Sequence, residues 1–323
     1  MSEQTFVSYA QNGEDVVLWR ALHDVVGGRY VEVGANHPTD HSVSRVFYDR
    51  GWSGLCVEPL PAFADAFRAA RPRDVVVQAA VLQTDQDTVV LHAIDGTGLS
   101  TTVDALGAAH AGSGWEVHDL VVPAVGLDTL LEEHVGDGEV HFLLVDTEGA
   151  EASVLGSLDL SRHRPWILVV EATVPMSDEQ THAAWEPAVL AAGYELCLFD
   201  GLSRFYVAAE HAERLRARLS YPVCVLDRYV PRRVYELELA AAETEHEREQ
   251  LRTEIVRWRG QVLSRWTEAA AAAVSSPGAG GHPGHEAARL RAELDALHHT
   301  VSWRVTKPLR TVRSRQLGRS GRA

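Results

Sequence analysis

The sequence predicts an α/β fold: a doubly wound, mostly parallel sheet that finishes in an antiparallel hairpin and is followed by a helical C-terminal extension. Three observations predict it. From Arg29 to Val207, short apolar, β-branched runs alternate with amphipathic helical stretches, which is the pattern of a parallel sheet covered by helices on both faces. The last two runs are joined only by Asp200-Gly201-Leu202-Ser203, a turn-rich connection that suits a hairpin. Past Pro231, Gly and β-branched residues give way to Ala, Glu, Arg and Leu, a composition that favours long helix.

The elements follow in chain order. Gln11, Glu14 and Asp15 precede a short amphipathic helix containing Val16, Val17 and Leu18, where acidic groups favour the helix start. Strands are expected at Tyr30–Val33, Gly54–Glu58, Val75–Ala79, His141–Asp146 and Trp166–Glu171, each apolar throughout because both sheet faces are buried. The first strand runs into Gly34-Ala35-Asn36-His37-Pro38, and a helix is expected to begin near Thr39 to His41. Val89–Ile94 and Val117–Val125 flank a Gly- and Ser-rich loop and read as an insertion over the edge of the site. A helix is expected from about Gly149, and the hairpin pairs Tyr194–Phe199 with Arg204–Ala208.

Four segments result: a domain over residues 1–233, a long helix over 234–274, a Gly/Pro linker over 275–285, and a short helix with a basic tail over 286–323. In the long helix, Leu237, Ala241, Thr244, Arg248, Leu251, Ile255, Trp258 and Val262 fall at heptad steps, polar in the first half and apolar in the second. The linker carries two prolines and four glycines. Ala287, Leu290, Leu294, Leu297 and Val301 resume the spacing, and the last twenty residues hold Lys307 and six arginines with no acid.

Charge narrows the function. With 45 acidic and 30 basic residues the formal charge is −15, so the molecule as a whole repels nucleic acid and anionic membrane. A small or neutral polar substrate fits better. The three cysteines, Cys56, Cys197 and Cys224, form no metal-ligand pair and read as reduced thiols. No run reaches about 18 apolar residues, and residues 1–7 do not look like a leader. A soluble, cytoplasmic protein is expected.

The strongest chemical signal is the strand, glycine turn and helix start around Gly34. A glycine lets backbone approach a ligand closely, and a helix start offers N–H donors and a positive dipole. Any doubly wound protein needs such a turn, so the turn alone decides little. Glu58 ends the next strand, where an acidic side chain can accept hydrogen bonds from both ribose hydroxyls of an adenosine. NAD and S-adenosylmethionine are both served by this arrangement. The glycine fingerprint for a pyrophosphate is missing, because Asn36 stands at its second position and residues near His41 at its third. S-adenosylmethionine has no pyrophosphate.

Tyr9-Ala10-Gln11-Asn12-Gly13-Glu14-Asp15, Glu32-Val33-Gly34-Ala35-Asn36-His37-Pro38, Phe47-Tyr48-Asp49-Arg50-Gly51-Trp52-Ser53-Gly54 and Val57-Glu58-Pro59 closely resemble the FkbM family of methyltransferases in order and spacing. Gly98-Leu99-Ser100-Thr101, Leu127-Asp128-Thr129-Leu130-Leu131 and Leu144-Val145-Asp146-Thr147-Glu148-Gly149-Ala150-Glu151 look like its remaining blocks. The resemblance covers roughly residues 5 to 210. Glu32 stands where many members have Asp, and Thr147 where Val is more frequent.

The resemblance implies a class I methyltransferase fold, Rossmann-like with seven strands, and methyl transfer from S-adenosylmethionine to a hydroxyl of a sugar, glycan or glycosylated natural product. Gln11, Glu14, Glu32, Gly34, Ala35, Asn36, Glu58, Ala79, Ala80 and Asp146 are the candidates for holding the cofactor. Asp146 and Glu148 are the acceptor-side pair, with His37 a further candidate base. Glu148 or Glu151 could instead serve the start of the following helix. No metal is expected; Asp146, Glu148 and Glu171 are the alternative should Mg2+ be used. Ser100 and Thr101 lack a nucleophile elbow and read as loop donors.

Ser302-Trp303-Arg304-Val305-Thr306-Lys307-Pro308-Leu309-Arg310 resembles a tail that follows helical segments in bacterial glycan-assembly proteins, which suggests a glycan acceptor and a glycosyltransferase partner or self-association through the helices. A basic amphipathic end touching the inner membrane surface is the alternative. Two other functional classes stay open: a catalytically weak scaffold for glycan assembly, and an NAD-dependent oxidoreductase.

Overall fold

The computed structural model describes residues 5–275 and, beyond them, only 288, 289, 291–293, 295, 296 and 299. Seven strands form the central sheet: β1 Arg29–Val33, β2 Ser53–Val57, β3 Val75–Val77, β4 Phe142–Val145, β5 Ile167–Glu171, β6 Tyr194–Phe199 and β7 Ser203–Ala208. Their spatial order is β6-β7-β5-β4-β1-β2-β3. All neighbours are parallel except β7, which runs antiparallel to both β5 and β6. From β1 the chain adds β2 and β3 on one side and then crosses back to add β4 on the other, so strand order reverses between the parallel strands β1 and β4, the switch point at which open α/β sheets bind ligands.

The apolar strands bury side chains on both faces. Val31, Val33, Leu55, Val57, Leu143, Val145, Leu168 and Val170 enter one core. The alternate positions Tyr30, Cys56, Phe142, Leu144, Ile167 and Val169 enter the other, with Trp52 and Phe47 packed beside Phe142. On this face burial of three aromatic rings supplies much of the stabilisation, since truncating a buried Phe or Trp costs about 3–5 kcal/mol.

Four features differ from the expectation. The strand expected over Val75–Ala79 stops at Val77 in the central sheet, and a separate strand, Ala80–Val81, pairs with Ala124–Val125. The insertion is thus a three-stranded sheet in which Thr88–Ala93 lies antiparallel to His118–Val125. No helix begins at Thr39 to His41. His41 takes a positive φ of 57°, and the first helix after β1 is Arg45–Asp49. Finally, Phe6–Ser8 pairs in parallel with Tyr229–Pro231, and Arg20 donates to the Arg218 and Tyr221 carbonyls and to Asp227. The N-terminus and residues 218–231 are thereby tied together.

By contact the chain divides into two units, Met1–Ala241 and Ala242–Ala323. One helix, Arg232–Ser275, crosses that division. Within the second unit Leu251, Ile255 and Trp258 are exposed. None of the described helices is long and apolar enough to cross a membrane. The expected linker from Ser276 onward, the heptad positions Ala287, Leu290, Leu294, Leu297 and Val301, and the basic tail lie outside the described residues.

Candidate active site

A cleft of about 910 Å³ opens at the C-terminal ends of β1, β2, β4 and β5. It is lined by Glu32, Gly34, Ala35 and Asn36 from the end of β1, Glu58 after β2, Ala79 and Ala80 after β3, Asp146 and Glu148 after β4, and Glu171 of β5. Gln11 and Glu14 close one side. Thr97 to Ser100 and Trp115 of the insertion close another. Four of the five described non-glycine residues with positive φ, Asn36, His41, Glu148 and Met176, line this cleft. Such conformations cost of order 1–3 kcal/mol each, so backbone strain is concentrated here.

Gly34 adopts φ 80°, and a Cβ built on it would stand 1.7 Å from the Asp146 carbonyl oxygen. The chain leaves β1 so close to the chain leaving β4 that only glycine fits. Asp146 N–H donates to the Val33 carbonyl at 3.0 Å, while Gly34 and Ala35 N–H groups donate to the Val57 carbonyl. Three strand ends are locked together beneath the cleft floor.

Glu58 is 4 % exposed. Its Oε2 accepts from Asn36 N–H at 2.7 Å and its Oε1 from Leu60 N–H at 2.8 Å. Burial raises its pKa to about 7, against the opposing effect of these N–H groups. Each carboxylate oxygen keeps a further lone pair, which leaves the group able to accept from a ligand hydroxyl.

Across the cleft, carboxylate oxygens of Asp146, Glu148 and Glu171 lie within 4.8 Å of one another. Glu148 has φ 52° and is followed by Gly149 at 97°; Thr101 Oγ1 donates to the Glu148 carbonyl at 2.8 Å. Burial raises the pKa of all three acids, and mutual repulsion raises Glu148 and Glu171 further. Together they can bind a proton or a cation.

A family model described as the methyltransferase FkbM domain matches residues 32–196, just over half of the chain. The chain is a methyltransferase of the FkbM family. The Tyr9–Asp15 block and everything after residue 196 lie outside the match. Among solved structures, a TehB-like SAM-dependent methyltransferase from Corynebacterium glutamicum is similar at 9 % identity and TM-score 0.35, covering 61 % of this chain and 88 % of that one. SAM-dependent methyltransferases from Geobacter sulfurreducens and Thiobacillus denitrificans, both in complex with S-adenosyl-L-homocysteine, show 13 % and 12 % identity and TM-scores of 0.30 and 0.29. Each match covers 60 % of this chain and 68 % of theirs. No curated protein matches the chain.

In this FkbM methyltransferase every residue named as a cofactor candidate lines the cleft, Gln11 and Glu14 from outside the matched domain. His37 does not. Its Nδ1 accepts from Thr39 and Asp40 N–H groups at 3.2 and 2.9 Å, which fixes a turn and occupies that nitrogen's lone pair. The expected helix dipole at Gly34 is also absent, because the helix begins only at Arg45. Glu151, rather than Glu148, serves the helix Glu151–Gly156, accepting from Thr147 and Gly149 N–H groups at 3.0 Å. Ser100 Oγ accepts from Ile94 N–H.

Arg71 was not singled out from the sequence. It is fully buried and donates to the Pro38 carbonyl, Ser42 Oγ at 2.5 Å and Ser44 Oγ at 2.6 Å. Ser44 in turn donates to Glu32, whose pKa burial raises to about 7 against the pull of Arg71. An arginine at a helix end reads as a surface residue; nothing in the spacing marks this one.

Proposed function

We propose that this FkbM methyltransferase transfers a methyl group from S-adenosylmethionine to a hydroxyl of a sugar, glycan or glycosylated natural product. The observation that carries the reading is one cleft with two unlike sides: the Gly34, Asn36 and Glu58 cradle faces the carboxylates of Asp146 and Glu148. Gln11, Glu14, Ala79 and Ala80 complete the donor side. The donor supplies a methyl carbon on a sulfonium, whose C–S bond breaks with its electron pair passing to sulfur as the acceptor oxygen takes the methyl. Glu58 holds adenosine hydroxyls, and Asn36, with a buried Oδ1 that has no partner among the described residues, is a second acceptor for the cofactor. The hydroxyl proton passes to the Asp146 and Glu148 pair, whose burial makes it a stronger base than a solvated carboxylate.

Trp115, 42 % exposed, and Met176, 83 % exposed, line the same cleft as Thr97 and Ser100. Apolar surfaces among hydroxyls suit an acceptor with both polar edges and apolar faces, as a sugar ring has. The NAD reading is disfavoured because Asn36, at positive φ, replaces the second fingerprint glycine. The exposed Leu251, Ile255 and Trp258 on the C-terminal helix support association through that segment, with a second copy or a glycosyltransferase, and the free cysteines suit a cytoplasmic setting. Replacing Asp146 by Asn tests the assignment. Release of S-adenosylhomocysteine over a panel of glycosides should fall at least about a hundredfold with donor affinity little changed; an unchanged rate removes Asp146 from the chemistry.

A further inference from the structure

Among the described residues, buried acids are, with one exception, answered by donors. Asp15 accepts from Ser8, Tyr9 and Ala10; Glu58 from Asn36 and Leu60; Asp74 from Tyr30 and Gly54; Glu151 from Thr147 and Gly149; Glu32 from Ser44. The exception is the group at the ends of β4 and β5, where Asp146 and Glu171 hydrogen-bond to each other. Glu171 is 6 % exposed, and its Oε2 has no partner among the described residues; the same holds for the buried Oε2 of Glu148. The charges acting most strongly on the two glutamates are all acidic: Asp146 and Glu151 on Glu148, and Asp146, Glu148 and Glu151 on Glu171. Unpaired carboxylate oxygens in a low-dielectric site are costly unless a proton or a cation meets them, and one proton cannot answer three clustered carboxylates.

We infer that Asp146, Glu148 and Glu171 bind one divalent cation of the Mg2+ or Mn2+ class, held at the acceptor end of the cleft. The donor set is oxygen only, which selects hard cations over zinc or copper. Ligand oxygens about 2.1 Å from such an ion lie roughly 3 to 4.2 Å apart in an octahedron. The three oxygens here stand within 4.8 Å, so modest side-chain rotation closes them on the ion. Three protein carboxylates leave octahedral positions facing the cleft. On the methyltransferase reading above, on which this role rests, an acceptor hydroxyl occupies one of them and is placed by coordination as well as by shape.

The test uses the full chain and Mn2+ alone, following free Mn2+ by electron paramagnetic resonance, with Mg2+ as competitor. One Mn2+ per chain should bind and be displaced by Mg2+. Glu171→Gln, which keeps the shape and removes one charge, should lose the bound ion, and Asp65→Asn, at an exposed position that does not line the cleft, should retain it. Metal-free Glu171→Gln should melt no lower than the parent, since it relieves repulsion; if it melts lower, Glu148→Gln replaces it as the probe. Mn2+ remaining free at millimolar concentration, or binding equally to both glutamine variants, overturns the inference. S-adenosylhomocysteine is titrated into the same samples. Its binding without Mn2+ binding rejects the metal and keeps the methyltransferase reading, and the reverse result rejects that reading alone.

Discussion

Replacing Gly34 by alanine would set a methyl carbon 1.7 Å from the Asp146 carbonyl oxygen, at a backbone φ of 80°. The φ alone costs about 1–3 kcal/mol, and the overlap forces β1 and β4 apart. We expect Gly34→Ala to be destabilised by at least about 2 kcal/mol in urea unfolding and to lose donor binding; a variant as stable as the parent would refute the close approach. Gly34 was legible as a glycine that must be one, although the sequence suggested a ligand as the neighbour rather than Asp146. Glu58, Asp146 and Glu171 were legible because strand ends can be read from apolar runs. His37 was misread because a histidine that accepts two backbone N–H groups looks, in one dimension, like any histidine at a polar turn. Arg71 was invisible for the opposite reason: burial of a cation depends on acceptors supplied by Pro38, Ser42 and Ser44, some thirty positions away.

At the scale of elements, the segment from Pro38 to Ser44 shows how tertiary contact overrides local preference. Thr39 and Asp40 suggest a helix start, yet their N–H groups turn back to His37 and the carbonyl of Pro38 is taken by Arg71. This segment begins two residues after Asn36 and carries His41, both residues in the cleft lining. Arg71→Met leaves buried acceptors without donors and Glu32 without its cation. Breaking a buried charge network from one side costs about 3–5 kcal/mol, so its urea midpoint should fall sharply and donor affinity with it. Arg71→Lys, which restores charge but not the fork of donors, should recover part of both. A Met variant with unaltered affinity would show that the segment does not shape the donor side. The central strands were readable because period and composition agree there. The small parallel pairing of Phe6–Ser8 with Tyr229–Pro231 was not, since three-residue strands far apart in sequence leave no pattern.

For the whole molecule, acidity is the governing feature. Burial raises Asp15 to about 6, Glu32 to about 7, and Glu14 to about 8, all above their unfolded values near 4. Across roughly pH 4 to 8 the folded state therefore holds more protons than the unfolded chain, so stability is full near the lower limit and declines as pH rises through these values. The net charge of −15 adds repulsion in the same direction. In metal-free and ligand-free buffer the melting temperature should be higher at pH 5 than at pH 9, and an increase over that interval would contradict the burial of these acids. The long helix after Pro231 was legible from composition, whereas the partner of its apolar positions is not written in the helix itself. The central claim, that the cleft is a methyl-donor site, is tested most directly by calorimetric titration of the full chain with S-adenosylhomocysteine, with NAD as control and Glu58→Ala alongside. We predict micromolar binding of S-adenosylhomocysteine, no heat with NAD, and loss of binding in a folded Glu58→Ala variant. Silence with S-adenosylhomocysteine together with heat from NAD would contradict the claim.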